Sequence, residues 1–144
     1  MPNWCNNFII IEPNENDKKL KKFNKLVKRI SITAKSNVEF CESLLGLKKP
    51  PKNYHQGGWY DYNISRWGTK WDFEVSDDEI NYDTHQISFS KETAWSPPIN
   101  FLIELCERYG VNAKIEFEEG GCDFAGIVSI NPEGIYDDLS YDSV

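Results

Sequence analysis

The chain of 144 residues contains no hydrophobic run near the ~20 residues that a membrane span needs, so no membrane association is expected. Its four cysteines (Cys5, Cys41, Cys106 and Cys122) form no C-x-x-C pair, and it has only two histidines, His55 and His85. Zinc sites draw paired ligands from short turns, so no metal and no cofactor are expected. No charged-then-apolar leader follows Met1, where Pro2-Asn3-Trp4 stand. The expectation is no signal peptide and free thiols in a reducing cytosol. There is no phosphate-binding glycine loop ending in Gly-Lys-Ser/Thr and no H-E-x-x-H, and no local word joins a cysteine to a histidine for nucleophilic catalysis. Cations are scarce too: 16 Lys+Arg stand against 23 Asp+Glu, a net charge of −7, which weighs against general DNA binding.

Charge is also unevenly placed. Lys18, Lys19, Lys21, Lys22, Lys25, Lys28 and Arg29 crowd one stretch, and no cation follows Lys114. Glu116, Glu118, Glu119, Asp123, Glu133, Asp137, Asp138 and Asp142 fill the remainder. A solvated surface accounts for both blocks. The sharper accounts are an anion-binding helix face and an acidic surface that imitates nucleic acid. The unusual abundance is aromatic: 14% of residues, five of them Trp. Length and composition otherwise fit one globular domain.

Phe8-Ile9-Ile10-Ile11 is short and rich in β-branched residues, so it reads as a strand buried on both faces. Pro13 to Asp17 breaks it, with Asn14 or Asn16 as a helix cap. Leu20, Phe23, Val27 and Ile30 recur at helical spacing, with lysines elsewhere, and predict an amphipathic helix. Val38, Phe40, Leu44, Leu45 and Leu47 show no clean period, and residues 36–72 read as an aromatic-rich insertion. Ile87 and Phe89 alternate with Gln86 and Ser88 as a strand. Ser96-Pro97-Pro98 starts a second helix, with Ser96 as cap, Ile99, Leu102, Ile103, Cys106 and Tyr109 as its buried stripe, and Gly110 as its stop. Val111, Ala113, Ile115 and Phe117 alternate with polar residues, and residues 122–130 return as an antiparallel strand. The fold class is α+β: a ferredoxin-like split βαβ, with an antiparallel sheet and two helices on one face. The domain spans residues 1–131, and residues 132–144 form an acidic C-terminal tail expected to be loose.

Three words stand out: Met1-Pro2-Asn3-Trp4-Cys5-Asn6-Asn7, Trp67-Gly68-Thr69-Lys70-Trp71-Asp72 and Thr93-Ala94-Trp95-Ser96-Pro97-Pro98. Glu119-Gly120-Gly121-Cys122-Asp123-Phe124-Ala125-Gly126 is a weaker fourth. With these words the chain resembles the YubB-type ferredoxin-like domain family of plasmid and phage proteins, from Met1 to about Ile130. The resemblance implies a ferredoxin-like domain, a mobile-element origin and a cytosolic setting. It implies no activity, because the family has no known function. Arg66 departs from the family word, which begins with Asn, and residues 48–62 are particular to this chain.

In an extended segment Trp67, Thr69 and Trp71 share a face and Lys70 points away. They could form an aromatic surface for a base, sugar or peptide, with Lys70 meeting a phosphate or carboxylate. The alternative is that the indoles plug the core and Lys70 pairs with Asp72 or Asp123. Asn3 and Asn6, beside Trp4, read either as amide contacts to a ligand or as ties to backbone. The stretch holding Trp95 and Ser96 offers an anion seat at a helix start, or simple capping. The candidate binding set is Asn3, Trp4, Asn6, Trp67, Thr69, Lys70, Trp71, Trp95 and Ser96, and no catalytic residue is assigned.

These readings converge on a small non-enzymatic binding module of a phage or plasmid. It would act in the host cytosol on a host protein, or sequester a small anionic ligand, in counter-defence. Two alternatives are a small enzyme on nucleotides or nucleic acid, using Lys70 with Cys5 or a carboxylate, and an acidic nucleic-acid mimic built on residues 116–142. A homodimer through an exposed edge, or through the wet face of residues 111–118, is permitted.

Overall fold

The first strand, β1 (Trp4–Pro13), is hydrogen-bonded on both sides, so alternate side chains are committed to opposite faces of the sheet. Cys5, Asn7, Ile9 and Ile11 are buried, whereas Trp4, Asn6 and Phe8 are exposed. The apolar run at its centre is therefore buried on one face, not two. No described helix covers the side where Phe8 and Ile10 project.

The computed structural model describes residues 4–36, 38–45, 73–94, 96–119, 124–139 and 141–142. After β1 come α1 (Lys21–Ser36), α2 (Phe40–Leu45), a short 3-10 turn at Asp77–Glu79, β2 (Ile80–Asp83) and β3 (Gln86–Ala94). Then follow α3 (Ile99–Tyr109), β4 (Val111–Glu119), β5 (Phe124–Asn131), β6 (Gly134–Asp138) and β7 (Tyr141–Asp142). The strands pair antiparallel in the order β2-β3-β1-β4-β5-β6, and β7 also pairs with β5. The sheet with its helix layer bears out the α+β, ferredoxin-like expectation, and β5, β6 and β7 extend the sheet beyond β4.

The helices cover the face that carries Ile9, Ile11, Ile87, Phe89, Ile115, Val128 and Ile130. From α1 come Phe23, Leu26 and Ile30, and from α3 Phe101, Leu102, Leu105 and Cys106. The predicted α1 stripe is present, but the helix begins after Leu20 and runs on to Ser36. Leu20 adopts φ 58°, a left-handed turn that is costly for a branched side chain. Asp17, not Asn14 or Asn16, satisfies the helix start: its carboxylate accepts from the backbone N–H groups of Lys22 at 3.3 Å and Phe23 at 2.9 Å. Asn14 is engaged elsewhere, donating its amide to Asn112 Oδ1 at 2.9 Å.

Ser96 does not cap α3. The residue preceding the helix is Pro98, without a side-chain cap, and the Ser96 carbonyl accepts from Thr93 Oγ1 at 2.7 Å. Gly110 ends α3 as expected, at φ 63°, with its N–H donated to the Cys106 carbonyl at 2.9 Å. The stretch from Gly134 to Leu139 is not loose. It folds back as β6 against β5, and the Leu139 N–H reaches the Ile127 carbonyl at 2.9 Å.

α2 lies inside the stretch read as an insertion, and residues 46–72 of that stretch fall outside the described residues. Its Phe40 is the aromatic hub of the core. The ring lies 5.5 Å from Phe89, 5.8 Å from Phe73 and 5.8 Å from Phe101. The Phe40 N–H also donates to the Phe73 carbonyl at 2.8 Å. Phe40→Ala should cost about 3–5 kcal/mol in denaturant unfolding, since Phe73, Phe89 and Phe101 would all border the resulting cavity.

Candidate functional site

Antiparallel pairing brings distant sequence words to one end of the sheet. β1 starts where β3 and β4 finish, so Cys5 stands opposite Thr93 on one side and Glu119 on the other. Parts of three distinctive words therefore meet here: residues 4–7, Thr93-Ala94 and Glu119.

On the helix-facing side the meeting is a buried polar nest of Cys5, Asn7, Thr93 and Glu119. Asn7 Nδ2 donates to Thr93 Oγ1 at 2.8 Å and to the Lys91 carbonyl at 2.9 Å. Its carboxamide oxygen accepts from Cys5 Sγ at 3.5 Å. Thr93 relays the chain to the Ser96 carbonyl. A buried amide so fully engaged ties strands together and has little capacity left for a ligand. Burial pushes the Cys5 thiol up from 9.0 to about 12, and the nearby Glu119 carboxylate adds to the rise, against a hydrogen bond from Thr93 that lowers it. A thiol held neutral at physiological pH is a poor nucleophile, which removes Cys5 from the enzyme reading. Cys106 is likewise raised to about 12 by burial alone, and Cys41 is buried.

The opposite side is a groove of about 1020 Å³ that opens along β1. Its floor can be read in rows across the sheet. Asn6 lies between Glu92 of β3 and Glu118 of β4, and Ala125 of β5 follows Glu118. One row on, Phe8 lies between Ser90 and Glu116, and Ile127 follows Glu116. Trp4 closes one end and Leu139 the far margin. Trp4 is 44% exposed, Phe8 38% and Leu139 59%, so large apolar surface lies uncovered among carboxylates.

A smaller cavity of about 540 Å³ lies between the start of α1 and the end of α3. Lys22, Lys25 and Arg108 line it, but so do Asp17 and Glu107, and Asp17 already occupies the α1 N-terminus. Among the described residues there is no group of three or more His, Cys, Asp or Glu that could hold a metal ion, and no helix is long and apolar enough to cross a membrane.

Of the residues singled out from sequence, Trp4 and Asn6 stand on the groove floor, and Ser96 lies beside the nest. Asn3, Trp67, Thr69, Lys70, Trp71 and Trp95 lie outside the described residues. At the α3 start, Pro97 and Pro98 carry no N–H, and the first one, on Ile99, is donated to the Pro97 carbonyl at 2.8 Å. Sequence reasoning missed Asn7, Phe8, Glu92, Glu116 and Glu118 as partners in one place. The signal for Phe8 was present in the period-two series Trp4, Asn6, Phe8.

A family model described as a ferredoxin-like domain in Api92-like protein matches residues 66–140. The crystal structure of a protein api92 from Yersinia pseudotuberculosis is similar, with a TM-score of 0.56 over 100% of this chain and 99% of that one, at 7% sequence identity. At that identity the likeness bears on the fold. No curated protein matches the sequence.

In the native protein Cys5 and Cys106 should resist iodoacetamide and become alkylated only on unfolding, as read by peptide mass spectrometry. Both thiols are held above their ordinary pKa of 9.0. The unfolded chain therefore loses these protons first as pH climbs past 9, and stability should fall progressively toward pH 12. Denaturant midpoints measured across that interval check the sign.

Proposed function

The chain belongs to the family of Api92-like proteins with a ferredoxin-like domain, and on that premise we propose that it is a non-enzymatic binding module whose sheet face opposite the described helices engages a host polypeptide. The observation that carries this reading is the partly exposed pair Trp4 and Phe8 set among the carboxylates of Glu92, Glu116 and Glu118 on a hydrogen-bonded sheet. Side chains fixed by a hydrogen-bonded sheet make a preorganised docking surface, which limits the ordering cost of binding. The buried, protonated Cys5 supports binding over catalysis. The YubB-type resemblance extends the proposal to a mobile-element protein acting in the host cytosol, with counter-defence as its setting.

Acidic mimicry of nucleic acid is a special case of the same reading. Glu92, Glu116 and Glu118 project from one face, and a partner that normally holds nucleic acid would meet them with its own basic surface. A small anionic ligand is disfavoured in the groove itself, where those carboxylates would repel it.

Phe8→Asp tests the proposal: the side chain is on the open face but only 38% exposed, in a central strand opposite Glu116, so the substitution should cost about 1–3 kcal/mol and leave the domain folded. Tagged full-length protein and a Lys28→Ala control on α1 should capture the same host protein from lysate, and Phe8→Asp should lose it while its far-UV circular dichroism at the assay temperature matches the parent. Capture indifferent to Phe8→Asp, or turnover of a nucleotide panel by the purified protein, would overturn the reading.

A further inference from the structure

We infer that the groove is built for an extended polypeptide segment bearing an arginine, whose guanidinium sits over Asn6; the inference rests on the docking role proposed above and names its chemistry.

The register makes Asn6 the centre of a cross. Along β1, Trp4 and Phe8 stand two residues to either side, each ~7 Å away at ~3.4 Å per residue. Across the sheet, Glu92 and Glu118 stand directly opposite Asn6, each one strand spacing away, ~4.8 Å. A ligand group above Asn6 thus meets aromatic surface along one axis and carboxylates along the other.

Charge argues for a cation there. Glu116 and Glu118 lie on the same face of β4, with Glu92 across β1, and none of the three has an ion-pair partner among the described residues. Lys91 is committed to Glu79 at 3.5 Å. Lys114 lies one row further along, opposite Ile10. Glu116 and Glu118 repel along the same face of β4, with Glu92 two strand spacings away across β1, and an incoming cation relieves that repulsion. A second copy of this chain, docked face to face, would instead add three more carboxylates.

The aromatic axis selects guanidinium over ammonium. A guanidinium is planar, stacks on aromatic faces, and presents a fork of N–H donors to carboxylate and amide oxygens. An ammonium is compact and strongly hydrated, so it gains less from Trp4 and Phe8. The groove, at about 1020 Å³, exceeds what one side chain fills. Its apolar margin at Ala125, Ile127 and Leu139 accommodates neighbouring residues of the same segment. In an extended peptide, alternate residues share a face, so apolar side chains two positions from the arginine would reach that margin.

The test is fluorescence anisotropy of full-length protein with a labelled, blocked peptide Leu-Ser-Arg-Ser-Leu, alongside versions with lysine or citrulline in place of arginine. The arginine peptide should bind saturably, weaken with salt, and bind at least tenfold tighter than either substitute. The exposed double variant Glu92→Gln with Glu118→Gln should lose at least tenfold while its melting temperature holds, and Asn6→Leu should weaken binding in the same direction. Equal affinity for the three peptides, no saturable binding, or indifference to the double variant would overturn the seat. So would concentration-dependent self-association that displaces the peptide, because a second copy would then be the occupant. If Phe8→Asp abolishes capture of the host protein while the Glu92→Gln, Glu118→Gln variant retains it, the arginine seat fails and the docking role stands. If the peptide obeys every expectation but host capture ignores Phe8→Asp, the docking role fails by itself.

Discussion

The structure depends on the way β1 is locked between two neighbours. Hydrogen bonding to β3 on one side and β4 on the other leaves no freedom for the strand to slide. A slip of one residue would carry Ile9 and Ile11 into water and drive Trp4, Asn6 and Phe8 into the core. Asn7 adds a lock that ordinary ladder bonds lack, because its amide spans from β1 to both the Lys91 carbonyl and the Thr93 hydroxyl. Burying that amide is tolerable only while these acceptors are in place, so the nest penalises alternative registers. The order of the open face is thus underwritten from the opposite side of the sheet.

Much of the architecture was legible as periodicity. The alternation of β4 and the stop at Gly110 appear where their spacing put them, whereas the stripes of α1 and α3 are centred partly on other residues, Leu26 on α1 and Phe101 and Leu105 on α3, and Ser88 of β3 is buried. Failures occurred where local pattern and tertiary environment part company. Phe8-Ile9-Ile10-Ile11 has no polar residue to show which side faces water, and a continuous apolar run suits either one buried face or two. α2 contributes Phe40, Cys41, Leu44 and Leu45 from a helix of six residues, too short for a period to emerge. Asp17 was passed over as a cap because it lies four residues before α1. The left-handed turn at Leu20 brings its carboxylate back to the helix start. The acidic tail looked unstructured by composition, yet backbone pairing to β5 requires nothing of its side chains.

For the candidate site the divide is sharper. Trp4 and Asn6 were found because they belong to a distinctive word. Glu92 and Glu118 were not connected, although each was visible as an exposed charge, because their shared neighbour Asn6 lies more than eighty residues from one and more than a hundred from the other. Register is a property of paired strands, and a single sequence carries it only implicitly. The same holds for the nest, where Cys5, a residue of the enzyme alternative, and Thr93, the start of a separate word, are set side by side in the buried interior only by strand pairing.

A sheet that exposes part of Trp4 and Phe8 on one face is an aggregation hazard if its outermost strands also offer backbone to a neighbour. Here those margins are poor templates. β2 is only four residues long, and the pairing of β5 with β6 shifts between Ser129 and Ile130, bending the last strand out of a straight line. Asp137 and Asp138 sit on that bent margin, and Asp83 ends the short one. Sideways growth into fibres is thereby frustrated at both flanks, leaving this domain able to display greasy surface in a crowded cell without seeding its own precipitation.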